Sequence, residues 1–187
     1  MKNKNFNIYA ILVSMLILVA SGCTINDLDS ETIEDDPLYS GDGLSPIYID
    51  KSELKNIKNL PSRTIENSGT IFLKDTIFFL LEINKGIHVF NTSIPSNSTP
   101  LTFINIPAAS DFTVHGDKIY ASCWRDLVTI DFSDLFNVKE VAREENVFEP
   151  TLFPQRYNGY FECVDERRGV VINWEHKILE NAACRTL

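Results

Sequence analysis

The chain has 187 residues, enough for one domain with a sizeable core, and 44% of them are hydrophobic, with twelve Phe that lean toward β structure. Its formal net charge is −9. An acidic chain without a basic stripe has no electrostatic means of holding phosphates, which excludes nucleic acid as a partner.

Residues 1–22 read as an export signal. Lys2 and Lys4 make a positive start, residues 8–20 an apolar run, and Ala20, Ser21 and Gly22 place small side chains before Cys23. The apolar run is shorter than the roughly 20 residues a spanning helix needs. The string V-A-S-G-C at 19–23 resembles the lipobox of bacterial lipoproteins, where the thiol takes a diacylglyceryl group and the signal is cut just before the cysteine. The resemblance implies that Cys23 becomes the lipidated first residue and anchors the protein to a membrane. At about 0.8 kcal/mol per buried methylene, several acyl chains hold stably.

Residues 23–46 form the expected tether. Asp27, Asp29, Glu31, Glu34, Asp35, Asp36 and Asp42 lie in it, with no Lys or Arg and few large apolar residues, so it cannot bury enough surface to offset chain entropy. As a flexible coil it reaches about 25–30 Å on average. The plain role is a spacer. The sharper reading is that acids soon after the cysteine resemble the surface-export signal of Bacteroidetes lipoproteins. Thr24 stands where enteric inner-membrane retention uses Asp. The expected address is the cell envelope, at the outer membrane, with surface display as its extension.

Residues 47–187 are expected to form an all-β domain of repeated four-stranded meanders. Residues 46–48 read as a short strand, and Ser52 with 53–60 as a brief helical turn stopped by Pro61. Module one places strands at 71–73, 76–81, 87–91 and 101–106, with turns at 74–75 and 84–86 and a Ser/Asn/Pro loop at 93–100. Module two repeats the order with strands at 112–115, 118–123, 127–131 and 138–143. An alignment pairs Ile77 with Ile119 and Phe78 with Tyr120. After a two-residue gap it pairs Ile87 with Leu127, Phe90 with Ile130, Asn91 with Asp131, Ser93 with Ser133 and Asn97 with Asn137. Four strands in about forty residues is the period of a propeller blade. Ile87 and Val89 lie on one face of their strand, His88 and Phe90 on the other, as in a sheet covered on both sides. A third unit begins with a hairpin of 160–164 and 170–175, and 178–187 is too short to complete it. The fold class is therefore a partial β-propeller, with about two complete blades plus a hairpin.

The runs INKGIHVFN, SIPSN, FINIP, LVTID, DFSD and ENVF resemble the LVIVD-repeat β-propeller lipoproteins common in Bacteroidetes, over roughly residues 46–174. That family implies further repeats and a Gly-containing turn where this chain has Ala108-Ala109-Ser110-Asp111. It implies no particular activity. Ending near three units implies a truncated product, a propeller completed by another chain, or an open meander with an exposed edge.

Among candidate chemical groups, His88, His115 and His176 fall on different elements without metal-ligand spacing, and His88 reads as a packed or hydrogen-bonded core residue. No metal or cofactor is expected. Of Cys123, Cys163 and Cys184, one pair can bridge in an oxidising envelope. Cys163–Cys184 is the first choice, leaving Cys123 packed in its strand. Asp131, Asp134 and Asn137 read as turn caps in preference to calcium ligands, because Ile94 replaces the middle oxygen in module one. Glu144, Glu145 and Glu149 read as solvated edge residues. Asp75-Thr76-Ile77 resembles the short O-glycosylation motif of Bacteroidetes envelopes, which nominates Thr76. Hairpins and loops at blade ends are where ligands dock, which nominates Trp124, Arg125 and Lys85 as contacts.

These readings converge on a non-enzymatic, envelope-anchored lipoprotein that binds a protein or a glycan. The alternatives are a hydrolase or lyase on a propeller scaffold, and a structural subunit that pairs through an open sheet edge.

Overall fold

The computed structural model describes residues 38–94 and 96–186. The signal, Cys23 and the tether up to residue 37 lie outside the described residues.

The described chain begins with β1 (Tyr39–Ile49), a one-turn 3-10 helix (Lys51–Lys55) and β2 (Lys58–Leu60). Asp50, not Ser52, starts the helical turn: its carboxylate accepts from the Ser52 amide at 2.7 Å. Module one follows as β3 (Ser68–Lys74), β4 (Ile77–Glu82), β5 (Gly86–Asn91) and β6 (Thr99–Asn105). Module two is β7 (Phe112–His115), β8 (Lys118–Cys123), β9 (Asp126–Asp131) and β10 (Lys139–Glu144). Both are antiparallel meanders, and β2 adds to the free side of β6. The last elements are β11 (Gly159–Phe161), a 3-10 turn (Glu166–Arg168), β12 (Val170–Ala182) and β13 (Cys184–Thr186). The all-β, partial propeller-like architecture is as expected.

The core lies between the two modules. Phe79, Leu81, Ile87, Val89, Ile104 and Ile106 of module one meet Phe112, Val114, Ile119, Ala121, Val128 and Ile130 of module two in one buried cluster. Polar ties bracket it. Asn59 on β2 donates to the Leu135 carbonyl at 2.9 Å and accepts from the Val138 amide at 2.8 Å, and Thr70 donates to Asp111 at 2.7 Å.

Three expectations are corrected. The tether does not run to residue 46, because Tyr39–Ile49 is a strand with Leu44 and Ser45 buried. Its few apolar residues suffice because the long β12 pairs with it antiparallel from Tyr39↔Ala182 to Ile49↔Val170 and satisfies its backbone. The hairpin expected from 160–164 and 170–175 does not form. β1 inserts between β11 and β12, parallel to the first and antiparallel to the second, giving the sheet order β12-β1-β11-β13. The segment beyond residue 178 is ordered in that sheet, as the end of β12 and as β13 on β11.

The third correction concerns register. Both Ile77 and Lys118 face the last residue of the next strand, Asn91 and Asp131 respectively. Lys118, not Ile119, is therefore the counterpart of Ile77, and Ile119 that of Phe78. The gap is one residue, since Glu82 pairs with Gly86 across three turn residues and Cys123 with Asp126 across two. The third-strand pairings stand. A slip of one residue moves every side chain of a strand to the other face, so this decides which surfaces of the two modules correspond.

Candidate functional site

The two variable hairpins sit side by side. Asn84 and Trp124 take left-handed backbone, with φ of 64° and 58°. Both bond to Ala108, which donates to the Asn84 carbonyl at 3.0 Å and accepts from the Trp124 amide at 3.1 Å. Ala108 itself has φ 56°, in the turn where the family resemblance implied glycine.

Each nominated contact residue is already engaged. Lys85 pairs with Glu66. Arg125 reaches Glu166 at 2.9 Å and Glu149 at 3.5 Å, tying the β8–β9 turn to the segment after β10 and to the turn before β12. The Trp124 ring lies 5.0 Å from the Arg125 guanidinium and 5.2 Å from the Lys51 ammonium, so its π face is occupied by cations of its own chain. The hairpins thus act as braces within the chain. Thr76 is exposed in the β3–β4 turn beside Asp75, whose φ is 53°.

Trp124 and Asn84 lead into a cleft of about 940 Å³ that sequence reasoning did not identify. One wall is module two, with Thr113, Tyr120, Ser122 and Leu127. The other is the third sheet, with Leu44, Val171, Asn173 and Trp174, and residues 148–156 form a further side. That segment carries Phe148, Leu152 and Phe153 exposed, an apolar loop at the edge of the opening. Its signal was present in the string VFEPTLFPQ, where apolar residues fall between prolines without strand alternation.

Register explains why the cleft is open. The buried positions Phe79, Leu81, Val89 and Ile104 of module one correspond to Tyr120, Ser122, Thr129 and Glu144 in module two. Large apolar side chains close the first interface. Their polar counterparts leave the second with too little apolar surface to close against the third sheet.

The buried ionisable pair lies elsewhere. Glu82 and His88 are sealed in module one, 3.1 Å apart. Glu82 also accepts from the Asn67 amide at 2.7 Å and the Glu66 amide at 3.1 Å. Burial alone pushes the Glu82 carboxyl up. The amide and His88 hydrogen bonds outweigh it and hold the group below the ordinary glutamate range. The pair fastens residues 61–67, which cross this face of the sheet, and solvent does not reach it. His88 is packed, as its sequence context indicated.

The remaining groups are structural. Cys163 and Cys184 form the disulfide that was the first choice. Cys123 is buried, with burial pushing its thiol up, and donates to the Pro107 and Leu54 carbonyls. Asp131 and Asn91 each accept from the amide two residues on at 2.8 Å, and Asp134 does so at 3.1 Å, which is the turn-capping role. Among the described residues no cluster of three His, Cys, Asp or Glu is placed to hold a metal.

In comparisons with protein-family models, curated protein sequences and solved structures, nothing matches this chain.

Proposed function

We propose that this protein is a non-enzymatic binding lipoprotein, anchored to the cell envelope through Cys23, whose ligand occupies the cleft between module two and the third sheet. The cleft carries the reading. Its volume falls within the range of about 300–1,000 Å³ usual for ligand pockets. It combines aromatic walls with a few polar groups, as such pockets do. Tyr120 and Trp174, one on each wall, are the aromatic contacts, with Asn173, Ser110 and Asp111 as hydrogen-bonding partners. The apolar loop at 148–153 extends the surface toward a protein segment, and the hydroxyl and amide groups suit a glycan.

The address rests on the lipobox resemblance and on the Cys163–Cys184 bridge, which persists only outside a reducing cytosol. The repeated meanders support the likeness to LVIVD-repeat lipoproteins. Trp124 enters this reading as a residue of the cleft, Arg125 as a brace through the lining residues Glu149 and Glu166, and Lys85 as a brace of its own hairpin.

Screening the purified chain against glycan arrays and peptide libraries tests it. A ligand whose affinity falls at least about tenfold in Tyr120→Ala and Trp174→Ala supports the reading. Binding untouched by either substitution places the ligand elsewhere, and turnover of a substrate moves the protein to the enzyme class. For the anchor, a Cys23→Ala variant that stays fully membrane-bound after signal cleavage would refute lipidation.

A further inference from the structure

One side of the cleft is an unbroken run, residues 148–156, that belongs to no strand or helix. Both ends of the run are fastened. The Phe148 amide donates to the Arg125 carbonyl at 2.9 Å, and the Glu149 carboxylate lies 3.5 Å from the Arg125 guanidinium. At the far end, just before β11, the Tyr157 carbonyl accepts from Thr186 Oγ1 at 2.8 Å. Between these ties, among the described residues, no hydrogen bond joins residues 150–156 to another element. Pro150 and Pro154 have no amide hydrogen to give. Leu152 is 38% exposed and Phe153 47%, and within 150–156 only Pro154 is buried. A stretch with so few hydrogen bonds and its apolar side chains in water belongs to the low end of local stability.

We infer that residues 150–156 are a lid that closes over the cleft and its contents, an inference that rests on the cleft being the binding site. The fastened ends, at Phe148 and Tyr157, are its hinges. An extended segment of seven residues reaches up to about 25 Å, so the chain between the hinges has length to spare. Closing takes Leu152 and Phe153 out of water, which is its driving force. It breaks no hydrogen bond to another element, because the segment makes none among the described residues.

The walls keep the lid open in the free chain. Thr113 on β7 and Asn173 on β12 line the cleft exposed, and neither side chain has a hydrogen-bond partner among the described residues. A lid shut on an empty cleft would take their hydroxyl and amide groups out of water unpaired. A ligand that bonds to them and turns an apolar side toward Leu152 and Phe153 removes that cost, so closure follows occupancy. Without ligand the closed form is a minor state of the same equilibrium.

A disulfide trap on the full chain reads closure without any ligand. Leu152→Cys is combined with Asn173→Cys on the β12 wall or, as the control, with Ser98→Cys on the β5–β6 loop outside the cleft, and diamide oxidises the paired thiols. All three positions are exposed, so thermal melting is expected to stay unchanged. The 152–173 pair is expected to bridge at least about tenfold faster than the control pair. Adding Thr113→Val, which removes the remaining unpaired wall group, is expected to quicken bridging at least about fivefold. A 152–173 rate no greater than the control overturns the inference. A fast rate indifferent to Thr113→Val also overturns it, because it marks a loop fixed beside the wall. A failed ligand screen refutes the binding reading, while the bridging rates still decide the lid.

Discussion

Replacing Glu82 with Gln tests the buried clamp under the strap. The carboxylate takes the Asn67 amide at 2.7 Å, the Glu66 amide at 3.1 Å to each oxygen, and His88 Nε2 at 3.1 Å. Glutamine keeps the shape and one acceptor oxygen, and turns the other into a donor facing the Glu66 N–H. Charge-assisted hydrogen bonds contribute about 1.5–3 kcal/mol each and neutral ones about 0.5–1.5. Losing one and weakening another should cost about 3 kcal/mol, a large share of the 5–15 kcal/mol typical of a domain. Denaturant titration of both proteins at neutral pH measures the difference, and limited proteolysis within 61–67 reports release of the strap.

The pH dependence gives a second readout with a definite sign. The folded Glu82 value lies below the ordinary 4.5, so the folded state binds this proton less readily than the unfolded state. Its contribution is therefore complete above about 4.5 and is lost as pH falls through the folded value. The stability gap between wild type and Glu82→Gln should narrow as pH falls below about 4.5. A gap under about 0.5 kcal/mol, or one that does not narrow in acid, would refute the view that a charged carboxylate holds the strap.

Three further outcomes follow from local geometry. Gly86→Ala should destabilise by more than about 3 kcal/mol in denaturant titration, since φ is 141° and a Cβ would meet the Ile104 carbonyl at 2.1 Å. Replacing Cys163 and Cys184 together by Ser opens a bridge spanning 21 residues and should lower stability by about 3 kcal/mol, after which added reductant should have no further effect. Arg125→Ala removes partly exposed pairs to Glu149 and Glu166, so stability should fall by less than about 1 kcal/mol. Protease cleavage within 148–156 should nevertheless quicken, because that segment loses its tie to the β8–β9 turn.

The strands of both modules were legible because each is short, branched or aromatic, and bounded by a turn residue. Phe112–His115 and Lys118–Cys123 fall where the pattern put them. The register between modules was not legible. Ile77 and Ile119 look alike in a string, while the pairing that separates them, Ile77↔Asn91 against Lys118↔Asp131, is non-local. The third sheet was hidden for a similar reason. Tyr39–Ile49 is rich in Gly, Ser and Asp, and its partner β12 lies more than a hundred residues away, so no local window holds both. Of the nominated contacts, turn chemistry located Trp124 at the cleft. It could not show that carboxylates from Glu149 and Glu166 already hold Arg125.

Positional equivalence also accounts for the two open surfaces being different in kind. Each module presents two faces, and one stacking rule joins the core face of the first to the opposite face of the second. Applied forward, that rule sets Thr113, Tyr120, Ser122 and Leu127 toward the third sheet, where polar substitutions leave a cleft with hydrogen-bonding walls. Applied backward, it leaves Ile71 and Leu73 of module one exposed where their counterparts Phe112 and Val114 are covered by a sheet. The two surfaces therefore differ in what their exposure costs: the hydroxyls and amides of the polar wall stay hydrated, while Ile71 and Leu73 leave apolar area in water.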